Sequence, residues 1–434
     1  MTIEISKWAA LSPTEQSEVL ERPAERDDAR IREQVLAIIS AVRRDGDSAL
    51  RELTRKHDGA DLDSFRVSEQ ELAGAARELD ADALDAIDLA IRNVRRFHEA
   101  QIPVAIQVET MPGVTCERLH HALDAVGLYV PAGSAPLPSA AIMLAVPAAI
   151  ADCPVRILCT PPRDDGSADP AVLVAASRAG ISEIYKIGGA QAIAAMAYGT
   201  ATVPKVHKIF GPGNAWVTCA KTLVSSEPGG AAIDMPAGPS EVLVIADADA
   251  NAGFVASDLL AQAEHGPDSQ VLLVTTSESF AEEVRAECAN QLSRLSRAAI
   301  AREALGNSRI IVVGDIDVAI EISNRYAPEH LILQVGNARQ CLQQVRNAGS
   351  VFLGKWTPES VGDYCSGTNH VLPTYGFARA YSGLGVDQFM RFMTVQELSR
   401  SGLEGIGDAV TTLAGLEGLD AHAAAVSLRL ESPS

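Results

Sequence analysis

The sequence predicts an α/β protein with two Rossmann-like parallel-sheet domains that lack the G-x-G-x-x-G fingerprint, together with helical N- and C-terminal extensions. Short β-branched runs alternate with apolar helical segments from residue 126 to 353, which is typical of parallel sheets covered by helices. The segment 233–241 contains two prolines and a glycine, which favours a crossing between two sheets over one large sheet. The first hundred residues and the tail from about Met393 show helical spacing without a strand signal.

Each element follows from this patterning in chain order. Residues 29–57 and 69–101 are charge-rich, with apolar residues at helical spacing, and predict long helices. Runs rich in β-branched residues predict strands at 126–131, 155–160, 183–187, 208–210, 241–246, 270–275, 309–313, 331–335 and 350–353. Apolar-periodic segments predict the intervening helices at 140–151, 171–179, 250–263, 277–292 and 315–324.

These elements predict four parts of the chain. Residues 1–28 form an N-terminal helical arm, and residues 129–241 form one α/β domain. Residues 29–128 and 242–384 together form the other α/β domain, which is discontinuous. Residues 385–434 form a C-terminal helical extension.

Composition and charge exclude several classes of protein. Lys and Arg total 36 against 56 Asp and Glu, and the net charge of −20 disfavours binding to nucleic acid or to an anionic membrane surface. The longest apolar run, at about 140–151, is too short to span a membrane, and the N-terminus shows no signal peptide. The 7 cysteines are scattered without a C-x-x-C motif, which is typical of a reducing compartment. We therefore expect a cytoplasmic protein.

Glycine-rich turns at predicted strand ends are the candidate nucleotide-binding elements. They lie at 131–134, 188–191 and 211–214, and no Walker A motif is present. In a parallel sheet such turns meet at the carboxyl edge, where ligands bind. Glycine also serves in ordinary turns between a strand and a helix, so each turn alone fits either interpretation.

Four of the 9 histidines stand beside other residues that could take part in catalysis. Gln262 and His265 share one face at the end of a predicted helix, where a histidine can also act as a C-cap. Glu329 and His330 form an acid–base pair at the start of a strand if the chain bends, since successive strand side chains point to opposite faces. The other two are His370, in a polar loop with Asp363, and His422, in an alanine-rich helix.

These side chains offer nitrogen and oxygen ligands suited to zinc. A four-ligand site can be assembled from Gln262, His265, Asp363 and His422, although no H-E-x-x-H motif is present. The alternative for each residue is a structural or surface role.

Seven segments, in this order along the chain, resemble those of the histidinol dehydrogenase family. They are 127–131 (GLYVP), 187–193 (IGGAQAI), 209–214 (IFGPGN), 234–241 (DMPAGPSE), 262–268 (QAEHGPD), 328–331 (PEHL) and 362–374 (GDYCSGTNHVLPT). The resemblance extends from about Trp8 to Arg429. Two small departures are Ala132 in place of a glycine and Cys365 in place of an alanine.

The resemblance implies a zinc-dependent homodimer that oxidises L-histidinol to L-histidine through an aldehyde, reducing two NAD. The implied zinc ligands are Gln262, His265, Asp363 and His422. The implied catalytic pair is Glu329 and His330. The implied substrate contacts are Ser240, Gln262, His265, His330, Asp363, His370, Glu417 and His422, and the implied NAD contacts are Tyr129, Gln191 and Asn214. It also implies that the C-terminal helices bring Glu417 and His422 into the partner subunit's site.

The required chemistry suits these residues. A neutral histidine can take the hydroxyl proton, which assigns His330 as the base. Glu329 can activate the water that converts the aldehyde to an acid, and zinc can orient the substrate. Alternatives are a thiohemiacetal on Cys116 or Cys153, a zinc hydrolase, a two-lobed binding protein, and a relative that oxidises another amino alcohol.

Overall fold

Two parallel β-sheets and one antiparallel sheet organise the chain. The computed structural model describes residues 3–23, 29–132, 135–236 and 238–432. The strands are β1 Glu4–Lys7, β2 Ile106–Met111, β3 Val114–Ala122, β4 Ala125–Tyr129, β5 Val155–Thr160, β6 Glu183–Lys186, β7 Lys208–Phe210, β8 Ala232–Ile233, β9 Glu241–Ala246, β10 Gln270–Thr275, β11 Arg309–Val312, β12 His330–Gln334, β13 Ser350–Leu353 and β14 Met390–Leu398.

Helices cover both parallel sheets. They are α1 Pro13–Val19, α2 Ala29–Asp45, α3 Asp47–His57, α4 Glu69–Ala75, α5 Ala81–Glu99, α6 Pro138–Ile150, α7 Pro170–Arg178, α8 Gly189–Tyr198, α9 Ala215–Ser226, α10 Ala252–Ala263, α11 Glu278–Leu292, α12 Ala298–Gly306, α13 Ile316–Tyr326, α14 Ala338–Cys341, α15 Glu359–Tyr364, α16 Arg400–Leu416 and α17 Asp420–Glu431. Asx and Ser caps start several of them, as at Asp80 of α5, whose carboxylate accepts from the N–H of Ala83.

The five-stranded parallel sheet has the order β6-β5-β4-β7-β8. Chain order reverses between β4 and β7, so their carboxyl ends form the crevice in which such sheets bind ligands. The buried helix α6 covers one face and α8 the other. The predicted strands of this half of the chain are confirmed to within two residues at each end.

The first long helices pack on this same sheet. Apolar residues of α2 contact α8 and α9, and those of α5 contact α6. The prediction grouped residues 29–128 with 242–384. The helices of 29–128 pack instead on the five-stranded sheet, because their apolar faces contact the helices that cover it. The boundaries of the two domains stay a prediction.

The six-stranded parallel sheet has the order β1-β11-β10-β9-β12-β13. Its edge strand β1 lies within the predicted helical arm 1–28, of which residues 1–2 and 24–28 fall outside the described residues. The prediction of a wholly helical arm is therefore wrong at Glu4–Lys7, a run too short to show a period-2 pattern. The helical part of that arm is α1.

A three-stranded antiparallel sheet, in the order β14-β3-β2, was not predicted. Its strand β14 falls at the start of the predicted helical extension 385–434, so the absence of a strand from Met393 onward was a wrong prediction. Beyond it, α16 and α17 confirm the helical C-terminus. All six residues of β2 are exposed, so burial gives this strand no alternating pattern.

Candidate active site

The candidate site lies at the amino edge of the six-stranded sheet, where β9 and β12 begin side by side. Glu241 is the first residue of β9 and His330 the first of β12. The last turn of α10 brings Gln262 to this edge, and α15 brings Glu359 and Asp363. These side chains therefore come from four elements that are far apart in sequence.

Glu329 and His330 converge, as the predicted acid–base pair requires. Glu329 Oε2 lies 3.6 Å from His330 Nδ1. The main chain of Glu241 holds both, since its N–H donates to Glu329 Oε2 at 2.8 Å and its carbonyl oxygen lies 3.1 Å from His330 Nδ1. A carbonyl oxygen only accepts, so Nδ1 carries the proton in the neutral ring and Nε2 presents a lone pair.

The free nitrogen of His330 faces the centre of the site. Nε2 is buried, has no hydrogen-bond partner among the described residues, and lies 3.8 Å from Asp363 Oδ1. Burial lowers the pKa of His330 to about 4, although Asp363 opposes that effect. The ring is therefore neutral near pH 7 and able to act as a base or as a metal ligand.

Glu241 is itself anchored from two sides. The guanidinium of Arg22 forms a buried ion pair with its carboxylate, and Arg22 Nη2 also donates to the Tyr326 carbonyl oxygen at 2.9 Å. The Tyr375 N–H donates to Glu241 Oε1 at 2.7 Å. Arg22 and Tyr375 therefore fix the position of Glu241, whose N–H and carbonyl oxygen hold Glu329 and His330.

Glu359 is a member of the site that the sequence analysis missed. It is 1% exposed and receives the Gln262 amide, which donates to both carboxylate oxygens when its nitrogen faces Glu359. Glu359, His330 and Asp363 each present a ligand atom within 4.8 Å of the others. Glu359 lies in a short helix just after a proline, three residues before the motif at 362–374 begins.

This donor set fits a divalent cation. Burial raises the pKa values of Glu329 and Glu359 well above their usual range, and nearby carboxylates, with Asp363 common to both, add to the effect. Among the described residues, no Lys or Arg forms an ion pair with Glu329, Glu359 or Asp363. One histidine nitrogen and carboxylate oxygens are ligands that zinc accepts.

Further predicted residues line the same edge. His370 Nδ1 lies 3.0 Å from the Asp363 carbonyl oxygen. His265 is exposed and lies one turn beyond Gln262. Burial lowers the pKa values of His330 and His370, and the nearby His265 adds to this effect. Ser240 immediately precedes β9.

Glu417 and His422 lie apart from this group. Glu417 caps the end of α16 and His422 lies in the first turn of α17, and both are exposed. No hydrogen bond or ion pair joins either residue to the described residues of the site. A single copy of the chain therefore does not assemble the four predicted zinc ligands.

The predicted nucleotide residues lie at the carboxyl edge of the five-stranded sheet. Tyr129, the last residue of β4, accepts a hydrogen bond at its hydroxyl from the Gly189 N–H at 3.0 Å. Gln191 is buried in the first turn of α8. Asn214 caps α9 by accepting from the N–H groups of Trp216 and Val217. Of the predicted turn 131–134, Gly133 and Ser134 lie outside the described residues.

The cysteine alternative finds little support in the geometry. Cys153 is buried and its Sγ contacts the Phe389 carbonyl oxygen, and burial raises its pKa to about 11. A catalytic thiolate needs the opposite shift. Cys116 lies on β3 of the antiparallel sheet.

Comparison with known proteins agrees with the motifs. The family model for histidinol dehydrogenase matches residues 20–430. The histidinol dehydrogenase of Xanthomonas axonopodis pv. citri (strain 306) is 56% identical over 428 residues, which are 99% of each chain. That of Vibrio vulnificus (strain YJ016) is 54% identical over 424 residues, 98% of this chain and 97% of its own.

A solved structure agrees across the whole fold. The crystal structure of histidinol dehydrogenase from Elizabethkingia anophelis matches with a TM-score of 0.95 and 44% identity, covering 99% of this chain and 98% of that one. None of the described helices is long and apolar enough to cross a membrane. The chain is an oxidoreductase, and it belongs to the histidinol dehydrogenase family.

Proposed function

We propose that the chain is a zinc-dependent homodimeric enzyme of the cytoplasm that oxidises L-histidinol to L-histidine through L-histidinal, reducing two NAD. The reaction is the end of histidine biosynthesis. The observation that carries the proposal is the convergence of Glu329 and His330 beside the divalent-cation donors, in a chain of this family. Ser240, His370 and Glu417 are the proposed further contacts to the substrate.

His330 serves the first oxidation. Its Nε2 lone pair takes the proton of the substrate hydroxyl while the carbinol carbon loses a hydride to NAD, which yields the aldehyde and one NADH. The Glu241 carbonyl oxygen keeps the other ring nitrogen protonated, and this fixes the tautomer that the step needs. General bases held in this way contribute about 10²- to 10⁴-fold to rate.

Glu329 serves the second oxidation. Its carboxylate takes one proton from water while the water oxygen adds to the aldehyde carbon, which leaves the hydrate as its monoanion. Hydride transfer from that carbon to a second NAD then gives the carboxylic acid, which loses its proton to become the carboxylate of histidine. Burial raises the pKa of Glu329 and so favours its protonated form, and a cation bound nearby would favour the ionised carboxylate that this role requires.

The proposed zinc ligands are Gln262, His265 and Asp363 of one chain and His422 of a second copy. Bound zinc would hold the imidazole and amino nitrogens of histidinol and so orient the carbinol carbon. The excess of buried carboxylates around His330 and Glu359 supports a cation at this place. The second copy is supported by apolar residues on the C-terminal helices, where Leu413, Leu416 and Leu428 are 61%, 81% and 63% exposed.

The test counts NADH for each histidine formed, using purified protein, L-histidinol and NAD, with and without a zinc chelator. Two NADH for each histidine, lost on chelation and restored by zinc, is the expected result. One NADH with accumulating aldehyde would remove the proposed role of Glu329. Absence of NADH in zinc-loaded protein would contradict the proposal and favour another amino alcohol or a hydrolase.

A further inference from the structure

The carboxylate of Asp58 lies where a Rossmann-type sheet recognises the ribose of its cofactor. In such sheets an acidic residue after the second strand binds the ribose hydroxyls. Here the second strand of the five-stranded sheet is β5, and the two residues after it are Pro161 and Pro162. The acidic group comes instead from the C-cap of α3, far away in sequence.

Contacts around Gly188 fix the position of this carboxylate. Gly188 follows β6 and Pro161 follows β5. A Cβ built on Gly188 would lie 2.8 Å from Pro161 Cβ and 3.2 Å from Asp58 Oδ1. Asp58 therefore lies over the carboxyl ends of β5 and β6, in close packing with Pro161 that only a glycine at position 188 allows.

Asp58 also joins the predicted NAD residues in one polar group. Gln191 Nε2 lies 3.5 Å from Asp58 Oδ2, at the long limit of a hydrogen bond. The negative charge of Asp58 adds to the burial that raises the pKa of Tyr129 to about 12. The long contact to Gln191 leaves the acceptor capacity of the carboxylate largely unused.

We infer that Asp58 determines the choice of dinucleotide: its carboxylate accepts hydrogen bonds from the ribose hydroxyls of NAD and repels the 2′-phosphate of NADP. The inference rests on the proposed function, because it requires NAD at this edge. Asp58 forms no ion pair with any described residue, so its charge is not neutralised by those side chains. A half-buried carboxylate gains from hydroxyl donors and is strongly unfavourable beside a phosphate.

The test compares D58N with D61N at pH 8. Asp61 lies in the same loop, is exposed, and pairs with exposed Arg55 at 2.8 Å, so D61N makes the same charge change away from Gln191. Affinities for NADH and NADPH are measured by fluorescence titration without histidinol, and kcat/KM is measured with NAD and NADP. At pH 8 Asp58 is ionised, because burial raises its pKa only to about 6.

In D58N we expect NADH to bind about 10-fold more weakly and the NADPH-to-NADH affinity ratio to rise by at least about 10-fold. D61N should match the unmodified chain. Unchanged NADH affinity and an unchanged ratio in folded D58N would overturn the inference. Because burial favours the neutral side chain, D58N should fold; if it does not, D58E must keep the rejection of NADPH, and loss of that rejection would contradict the inference.

Failure of the proposed function gives a different result. If the unmodified, zinc-loaded chain binds neither NADH nor NADPH and forms no reduced cofactor with histidinol, the proposal of NAD dependence fails, and the inference about Asp58 falls with it. If that chain reduces NAD but D58N behaves as D61N does, only the inference about Asp58 fails.

Discussion

At the scale of single residues, the main chain of Glu241 aligns two side chains with different proposed tasks. Its N–H fixes Glu329 and its carbonyl oxygen fixes His330, so the two groups share one support. A variant that keeps the hydrogen bond to the Glu241 N–H but loses the base can therefore separate the two oxidations. Glu329→Gln meets both conditions, since its amide oxygen still accepts.

We predict that Glu329→Gln slows the aldehyde step by about 10²- to 10⁴-fold while the alcohol step continues. The ratio of NADH to consumed histidinol should fall from two towards one, and aldehyde should accumulate. His330→Asn should instead slow the alcohol step, for which His330 is the proposed base. Glu264→Gln is the matched control, because it neutralises a half-buried carboxylate at the end of α10 without contacting Glu241. A Glu329→Gln enzyme that still makes two NADH at the normal rate would refute the assignment.

Asp258 is a further buried carboxyl group, and its charge costs stability. It is 4% exposed, its Oδ2 accepts from Gln334 Nε2 at 2.8 Å, and burial raises its pKa to about 7. Because the folded-state pKa lies above the usual aspartate value of 3.8, the protonated form stabilises the fold at low pH. That contribution is lost as pH rises through about 7.

We predict that Asp258→Asn becomes more stable, relative to the unmodified chain, as pH rises. The difference in free energy of unfolding should grow by about 2–3 kcal/mol between pH 5 and pH 8. The new amide can also donate to Gln334 Oε1, which is buried without a partner. Urea unfolding at both pH values, with equal metal content, measures the difference. A pH-independent difference would show that the Asp258 carboxyl group does not titrate in this range.

The sequence predicted most of these side chains but not their environment. The resemblance to the family and the scarcity of histidine pointed to Glu329, His330, Gln262 and Asp363, and the structure brings these together. Glu359 escaped because an isolated glutamate after a proline looks like any helix start. Only tertiary packing buries it against Gln262.

At the scale of elements, local pattern accounts for the buried strands and fails for the exposed ones. The strands at 155–160, 241–246 and 270–275 match the prediction residue for residue, because each is a mainly apolar run that is buried throughout or, at 155–160, over its last four residues. Exposed β2 and β14 carry polar residues on both faces, and pairing with β3 rather than burial defines them.

The β2–β3 turn also fixes the start of α16. Ser399 caps the helix by accepting from the Gly402 N–H at 3.0 Å, and the Ser399 N–H donates to the Gly113 carbonyl oxygen at 2.9 Å. A Cβ on Gly402 would collide with that same oxygen. The direction of the two C-terminal helices therefore depends on close packing at one glycine.

We predict that Gly402→Ala destabilises the chain by about 1–3 kcal/mol through overpacking and loosens α16 and α17. Gly405→Ala is the control in the same helix, since its Cβ would meet only Met111 Cε at 3.8 Å. That variant should gain up to about 1 kcal/mol from helix propensity. Denaturant unfolding and amide hydrogen exchange over residues 400–431 measure both effects. Equal behaviour of the two variants would contradict this account.

At the scale of the whole molecule, the site described in one copy is incomplete for the proposed reaction. The candidate pair and three proposed zinc ligands belong to or adjoin α10, β12 and α15. Glu417 ends α16 and His422 lies in α17; these two helices pack against each other, and α16 also packs against β14. Exposed leucines on those helices indicate a surface suited to a second copy. Sequence alone gave this expectation only through family resemblance, because no local pattern encodes which copy supplies a ligand.

Mixing two inactive variants tests the shared site directly. His330→Asn damages the site built on its own chain, and His422→Ala damages the site of the partner chain. In a mixed dimer, one site then carries both changes and the other carries neither. We predict that each variant alone is inactive and that a random mixture recovers roughly a quarter of normal activity, because half of the dimers are mixed and each has one intact site.

The matched control mixes the His330→Asn variant with the Asp363→Asn variant. In the proposed shared site, both of these residues are supplied by the same chain. Each site of that mixed dimer then carries one damaging substitution, so no activity should return. Differently tagged chains, purified through both tags, verify that mixed dimers form. If such dimers form and the His330→Asn and His422→Ala pair recovers no more activity than the control pair, His422 does not act across the subunit boundary. Since α17 places His422 away from His330 within one chain, the proposed fourth zinc ligand would then have to come from another residue, and buried Glu359 is the nearest candidate.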